Sequence, residues 1–172
     1  PDGIIQGGKQ GSNAGDCWLL AQMNSMSKTS WGKDALKNAI TQEKDGSFTV
    51  HFNGVKKDIK ITAEEFRKAD ADPLLLEVAV DKYFKENGIN NGSINGNDLA
   101  GEDSLQFLLT GARGRQTATE ENYEPILKVM GQNPDNNAGI AATYIYYDEA
   151  QGSGGTNHAV SVQQVILDKK GE

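Results

Sequence analysis

The chain holds one cysteine, Cys17, and two histidines, His51 and His158. A thiol becomes a useful nucleophile when its thiolate is stabilised and a base, most often histidine, stands within reach. Cys17 lies in QGSNAGDCWLL, where a loop of Gly, Ser, Asn and Asp gives way to an unbroken apolar run. Such a switch marks a helix N-terminus, which presents unpaired N–H groups and the positive end of the helix dipole. A thiolate placed there is stabilised. A lone cysteine can equally be a small core hydrophobe, so the base decides between the two. His51 falls in an alternating run opposite Val50 and Phe52 and reads as a solvated surface residue. His158 opens the apolar run Ala159-Val160-Ser161-Val162 behind a glycine-rich loop. That is a rigid mount with an accessible ring, and His158 reads as the base. Acyl transfer also needs positioned donors for an oxyanion. Gln10, in the loop before the thiol, offers a side-chain amide, with Gln6 a weaker competitor, and the Cys17 backbone N–H offers the second donor.

These residues need elements to hold them. The apolar run from Cys17 predicts a mostly buried helix to about residue 27, and Ser30 is placed to cap a second, over 30–39. The alternating run 48–52, then Asn53-Gly54, then a second alternating run to Ile61, predicts a hairpin. Thr62-Ala63-Glu64-Glu65 is a capping box. Asp72-Pro73 opens a helix that should stop at Gly88. After a Gly/Asn/Asp loop over 90–101, short helices fit 103–110 and 120–130. Strands fit 139–147 and 159–167, separated by a glycine-rich loop over 151–156. Helices first and strands last predict an α+β fold. The division falls between 111 and 137: a helical lobe of about residues 1–115 carrying Cys17, then a β-rich lobe of about 116–172 carrying His158.

Composition narrows the function classes. At 172 residues the chain is about one domain. Its net charge of −7 argues against nucleic acid or an anionic membrane as the main partner, because both reward Lys and Arg. A single cysteine rules out an internal disulfide framework. No apolar run approaches the roughly 18 residues that a membrane-spanning helix needs, and the chain opens Pro1-Asp2-Gly3, as an excised or processed piece does.

The constellation resembles the calpain-type cysteine peptidases within the papain-like group. The residues that carry the likeness are Gln10-Gly11, then Gly15-Asp16-Cys17-Trp18-Leu19-Leu20-Ala21, then Asn157-His158-Ala159 with Ser161-Val162. The Gly/Asn/Asp loops look bacterial rather than animal. The resemblance implies a papain-like two-lobe core acting as a cysteine endopeptidase. Cys17 is then the nucleophile, His158 the base, and Gln10 with the Cys17 N–H the oxyanion hole. Gly15, Asp16, Trp18 and Asn157 are expected to line the substrate cleft, with residues 152–155 as a gating loop on its rim. His158 lies downstream of Cys17 within the span of about 130–150 residues seen in papain and the cathepsins.

Two departures stand out. The usual QGxxGDC spacing is one residue longer here, QGSNAGDC, with the extra residue in the loop at Asn13 or Ala14. The family also completes its site with an Asn on the strand after the His, and no Asn follows His158. Asp168 is a formal substitute, poorly placed beside Lys169 and Lys170. The β lobe is therefore expected to be incomplete at its C-terminus, with the rest of the chain or a second fragment completing it. The expected partner is a polypeptide substrate. No cofactor is required by these residues. Calcium is an open alternative through the acidic loop Asn95-Gly96-Asn97-Asp98 with Glu102-Asp103, which lacks the order of an EF-hand and reads equally well as a solvated loop. Two rivals share the same residues: a transglutaminase-like acyl transferase, and a calpain-like binding module without catalysis.

Overall fold

In the computed structural model, which describes residues 15–68, 72–96, 101–113, 123–132, 141–148, 153–162 and 165–170, the apolar run after Asp16 forms helix α1, Cys17–Met26. Trp18, Leu19, Leu20, Ala21, Met23 and Met26 are all buried. A helix that is apolar on most of its faces has to be surrounded, and the other elements wrap this one. Helix α2, Ser30–Asn38, follows at once. Its cap is Thr29 rather than the expected Ser30. Thr29 has the extended backbone that an N-cap requires, and its Oγ1 accepts from the Gly32 N–H at 3.0 Å.

Strands β1 (Ile40–Gln42), β2 (Phe48–Phe52) and β3 (Lys57–Ile61) form an antiparallel sheet in that order. Alternation puts Phe48, Val50, Phe52, Ile59 and Ile61 on the core face, while His51 and Asp58 stand opposite each other on the outer face. Strand β1 has no counterpart in the sequence expectations, because a three-residue strand with two exposed positions carries no usable alternation. The hairpin at Asn53-Gly54 is present, but with a different turn. Phe52 pairs with Lys57, so four residues make the connection, and its left-handed residue is Lys56. Gly54 serves another purpose. Its N–H donates to the Leu108 carbonyl at 2.9 Å, and a Cβ there would fall 1.9 Å from the Phe107 oxygen.

Helix α3, Ala63–Lys68, starts with the expected reciprocal capping box. Thr62 Oγ1 accepts from the Glu65 N–H at 3.2 Å, and Glu65 Oε2 accepts from the Thr62 N–H at 2.8 Å. Helix α4, Asp72–Asn87, ends at left-handed Gly88, as expected. It buries Leu75, Leu76, Ala79, Val80, Tyr83 and Phe84 against α1 and the sheet. A 3-10 turn, Ile89–Gly92, leads into the loop to Gly96. Helix α5, Leu105–Thr110, is capped by the Ser104 hydroxyl and joined to α1, because the Gln106 N–H donates to Gln22 Oε1 at 3.0 Å. Helix α6 is Tyr123–Gln132.

Strands β4 (Ala141–Asp148) and β5 (Ser153–Ser161) form a separate antiparallel pair. Strand β5 starts earlier and ends earlier than expected. Gly154, Gly155 and Thr156 are strand rather than loop, His158 is well inside the strand rather than at its opening, and the strand stops at Ser161 rather than near 167. Pairs on either side, Asp148↔Ser153 and Tyr146↔Thr156 onward to Ala141↔Ser161, carry the strand across Gly154 and Gly155, which fall at its register shift, where glycine is common. The expectation of a gating loop over 152–155 fails at 153–155 for the same reason. Strand β5 reaches the core through Ala159. The fold is thus mixed α plus β, with a three-stranded sheet inside the half expected to be helical.

The approach of the β2–β3 turn to α5 yields a test. Gly54→Ala must push its methyl group against a backbone carbonyl, and overpacking of this kind costs about 1–3 kcal/mol. Urea unfolding should show a lower midpoint at unchanged slope; a wild-type midpoint would mean that the contact is not tight.

Candidate active site

Cys17 is the first residue of α1, half-buried and packed against the core. The Ala159 N–H donates to its sulfur at 3.5 Å, although the two residues are 142 positions apart. The thiol therefore lies beside the backbone of β5, one residue from position 158. His158 itself is opposite Tyr144 of β4. For Asn157 and His158 the backbone alone is described, and Gln6 and Gln10 lie outside the described residues.

The start of α1 is unusual for its class. The Asp16 carbonyl accepts from the Leu19 and Leu20 N–H groups at 2.9 and 3.2 Å, but the Asp16 side chain caps nothing. Aspartate at an N-cap ordinarily occupies the N–H groups of the first turn. Here the Asp16 side chain does not, and the Leu19 and Leu20 N–H groups are bound by its backbone carbonyl instead.

Three tethers from a distant loop hold this start instead. The Gly15 N–H donates to Asn95 Oδ1 at 2.8 Å, the Gly96 N–H donates to the Gly15 carbonyl at 2.8 Å, and Trp18 Nε1 donates to the Ile94 carbonyl at 2.6 Å. The Trp18 ring is stacked on Phe84 of α4, with centroids 5.9 Å apart. Of the residues expected to line a cleft, Gly15 is exposed, whereas Trp18 and Asp16 are buried at 2% and 1% exposure and so face the interior. An aromatic residue after a candidate nucleophile reads from sequence as a cleft wall, but the apolar neighbourhood of α4 takes it into the core.

Asp16 brings the main electrostatic feature. Its Oδ1 is buried without a hydrogen-bond partner, and the carboxyl of Glu77, on α4, is hydrogen-bonded to Asp16. Burial first, then the Asp16 charge and that hydrogen bond, then the Asp81 charge, push Glu77 up to about 7 from an ordinary 4.5. Glu77 therefore keeps its proton into the neutral range, and its own charge depends on pH there.

The remaining candidates sit elsewhere. His51 is exposed and paired with Asp58, as a surface residue should be. Asp168 is exposed and accepts from the Lys170 N–H at 2.8 Å in a local turn. In the acidic loop considered for calcium, Asn95 and Gly96 serve as tethers to Gly15, and residues 97–100 lie outside the described residues. Among the described residues no three His, Cys, Asp or Glu side chains are grouped to hold a metal ion, and no helix is long and apolar enough to cross a membrane. Sequence reading missed Asn95 and Glu77. An Asn in a Gly/Asn loop looks like any solvated turn, and a Glu within a helix like any surface charge. Compared with models of protein families, with curated proteins and with solved structures, the chain matches none.

The Glu77 shift has a definite sign in stability. Between about 4.5 and 7 the folded protein keeps a proton that the unfolded chain has lost, so this contribution falls as pH rises through that window. Glu77→Gln keeps a donor to Asp16 and cannot ionise. It should raise Tm by about 2–4 °C at pH 8 and by about 1 °C or less at pH 5. Equal shifts at both pH values, in thermal melts followed by circular dichroism, would contradict proton retention by Glu77.

Proposed function

We propose that the protein is a cysteine endopeptidase of the calpain-like, papain-group type, with Cys17 as nucleophile and His158 as base. One observation carries the reading: the residue after His158 donates its N–H to the Cys17 sulfur. It brings the backbone of the two segments that carry the motif resemblance together, which supports a thiol–imidazole mechanism. The position of Cys17 at the first turn of α1 supports it, since that is where a thiolate is stabilised. A mixed α plus β fold with α1 lying against β5 fits a two-lobe core in which the cleft runs between the thiol-bearing helix and the histidine-bearing strand.

In this mechanism His158 takes the thiol proton and the thiolate attacks the carbonyl carbon of an extended polypeptide. The oxyanion that forms is held by the Cys17 N–H and the Gln10 amide. His158 returns its proton to the leaving amine, leaving a thioester on Cys17. It then deprotonates a water molecule that releases the acid product. No step requires a metal ion.

The test is cleavage of an internally quenched peptide library at neutral pH, with products identified by mass spectrometry. The wild-type chain should cleave and Cys17→Ala should not, with Tm changed by no more than about 2 °C for a half-buried thiol. His158→Ala should lose about 10²–10⁴-fold. Transfer of the acyl group to an added amine in preference to water would move the assignment to the transglutaminase-like rival. Labelling of Cys17 by an electrophilic peptide no faster than free cysteine, with no cleavage, would leave a binding module.

A further inference from the structure

We propose that Asn95 is a positioning residue for Cys17, acting through Gly15; the inference rests on Cys17 being the nucleophile. Helix α1 lacks the ordinary lock on its first turn, because the Asp16 side chain makes no cap bond. Its start is instead tied to residues 94–96, some 80 positions away, by bonds that bracket Cys17 on both sides. Asn95 Oδ1 and the Gly96 N–H hold the N–H and the carbonyl of Gly15, and the Ile94 carbonyl holds the Trp18 ring. The fit at Gly15 is close, since a Cβ there would lie 3.2 Å from Asn95 Cβ.

The clasp is stiff on its own side. Gly88, Asn90, Asn91 and Gly92 all take left-handed φ, between 46° and 75°, which only Gly and Asn adopt readily. The Asn90 amide donates to three carbonyls, those of Ser93 at 2.8 Å, Asn95 at 2.9 Å and Gly96 at 3.1 Å. With two N–H bonds for three acceptors, one is shared. The Asn95 N–H donates in turn to Ser93 Oγ at 3.1 Å. Three backbone oxygens are gathered around one amide, and Asn95 Oδ1 and the Gly96 N–H are left aimed at Gly15. The loop thus passes a fixed shape to the residue two before the nucleophile. A sulfur that must sit beside β5 and within reach of position 158 tolerates little drift there.

The test compares Asn95→Ala, Asn95→Asp and Asn95→Gln, each confirmed folded by near-ultraviolet circular dichroism. Asp keeps an acceptor oxygen where Oδ1 stands, Gln moves it by a methylene, and Ala removes it. Misplacement by about 1 Å can cost about 10²-fold. Asn95→Ala and Asn95→Gln should lose about 10–100-fold in kcat with KM within about threefold, and Asn95→Asp should stay within about fivefold of wild type. The pH–rate profile of Cys17 alkylation by iodoacetamide should move in the Ala and Gln variants and not in Asp. Wild-type kcat in Asn95→Ala, or equal loss in all three, overturns the proposal. If the wild-type chain cleaves no peptide, the endopeptidase reading fails by itself. The alkylation profiles then decide alone: a shift that Asp rescues upholds the positioning role, and identical profiles overturn it.

Discussion

Burial of the Trp18 indole governs where the thiol can be. The ring is among the largest fully buried side chains, stacked on Phe84, with its N–H satisfied by the Ile94 carbonyl. Large aromatic side chains dominate core energetics, and a buried indole N–H needs an acceptor. Both requirements are met by elements distant in sequence, α4 and the loop after it. Once the ring is seated, the first turn of α1 has one position and one rotation, and Cys17 is carried to the border between the core and β5. The apolar faces of α1 then recruit α2, α5 and Ala159 around the same rod.

The same seating sets an electrostatic constraint. Asp16, drawn to 1% exposure by the residues on either side, brings a carboxyl into the interior one residue before Cys17. A negative charge there opposes a second one. Glu77 offsets this by keeping a proton into the neutral range, so the local charge stays lower than two free carboxylates would make it. The Asp16 side chain is also released from capping duty, and its backbone carbonyl binds the Leu19 and Leu20 N–H groups. The cost is a buried Oδ1 without a partner, a departure from the rule that buried polar atoms are paired.

Strand β5 shows how far pairing can override local preference. Gly154 and Gly155 favour a loop, yet the strand runs through them, and they fall at its one register shift, between the Tyr146↔Thr156 and Asp148↔Ser153 pairs. Because the strand begins early, His158 lies within a paired segment instead of at a frayed end. A paired strand is a stiffer mount than a strand terminus. Ala159, small and buried, lets the helix start come close enough for its N–H to reach sulfur.

Much of the local architecture was legible in the sequence, because its causes are local. The polar-to-apolar switch at Asp16–Trp18 marked the start of α1, Thr62 and Glu65 marked a capping box, Gly88 marked the stop of α4, and alternation marked the outward face of His51. Each depends on residues a turn or a strand pair apart. The identity of the candidate nucleophile and base was legible for the same reason, since the chain offers one thiol and few histidines. Tertiary structure decided the rest. It chose Thr29 over Ser30 as a cap, added β1, extended β5 through its glycines, and took Trp18 and Asp16 into the core. It made Asn95 a tether and Glu77 a proton store, roles that depend on what lies across the fold. A sequence states which groups are available and their local geometry. Which of them are desolvated together, and which distant backbone holds them, depends on packing and hydrogen bonding between segments that are far apart in sequence, with hydrophobic burial the main force that brings those segments together.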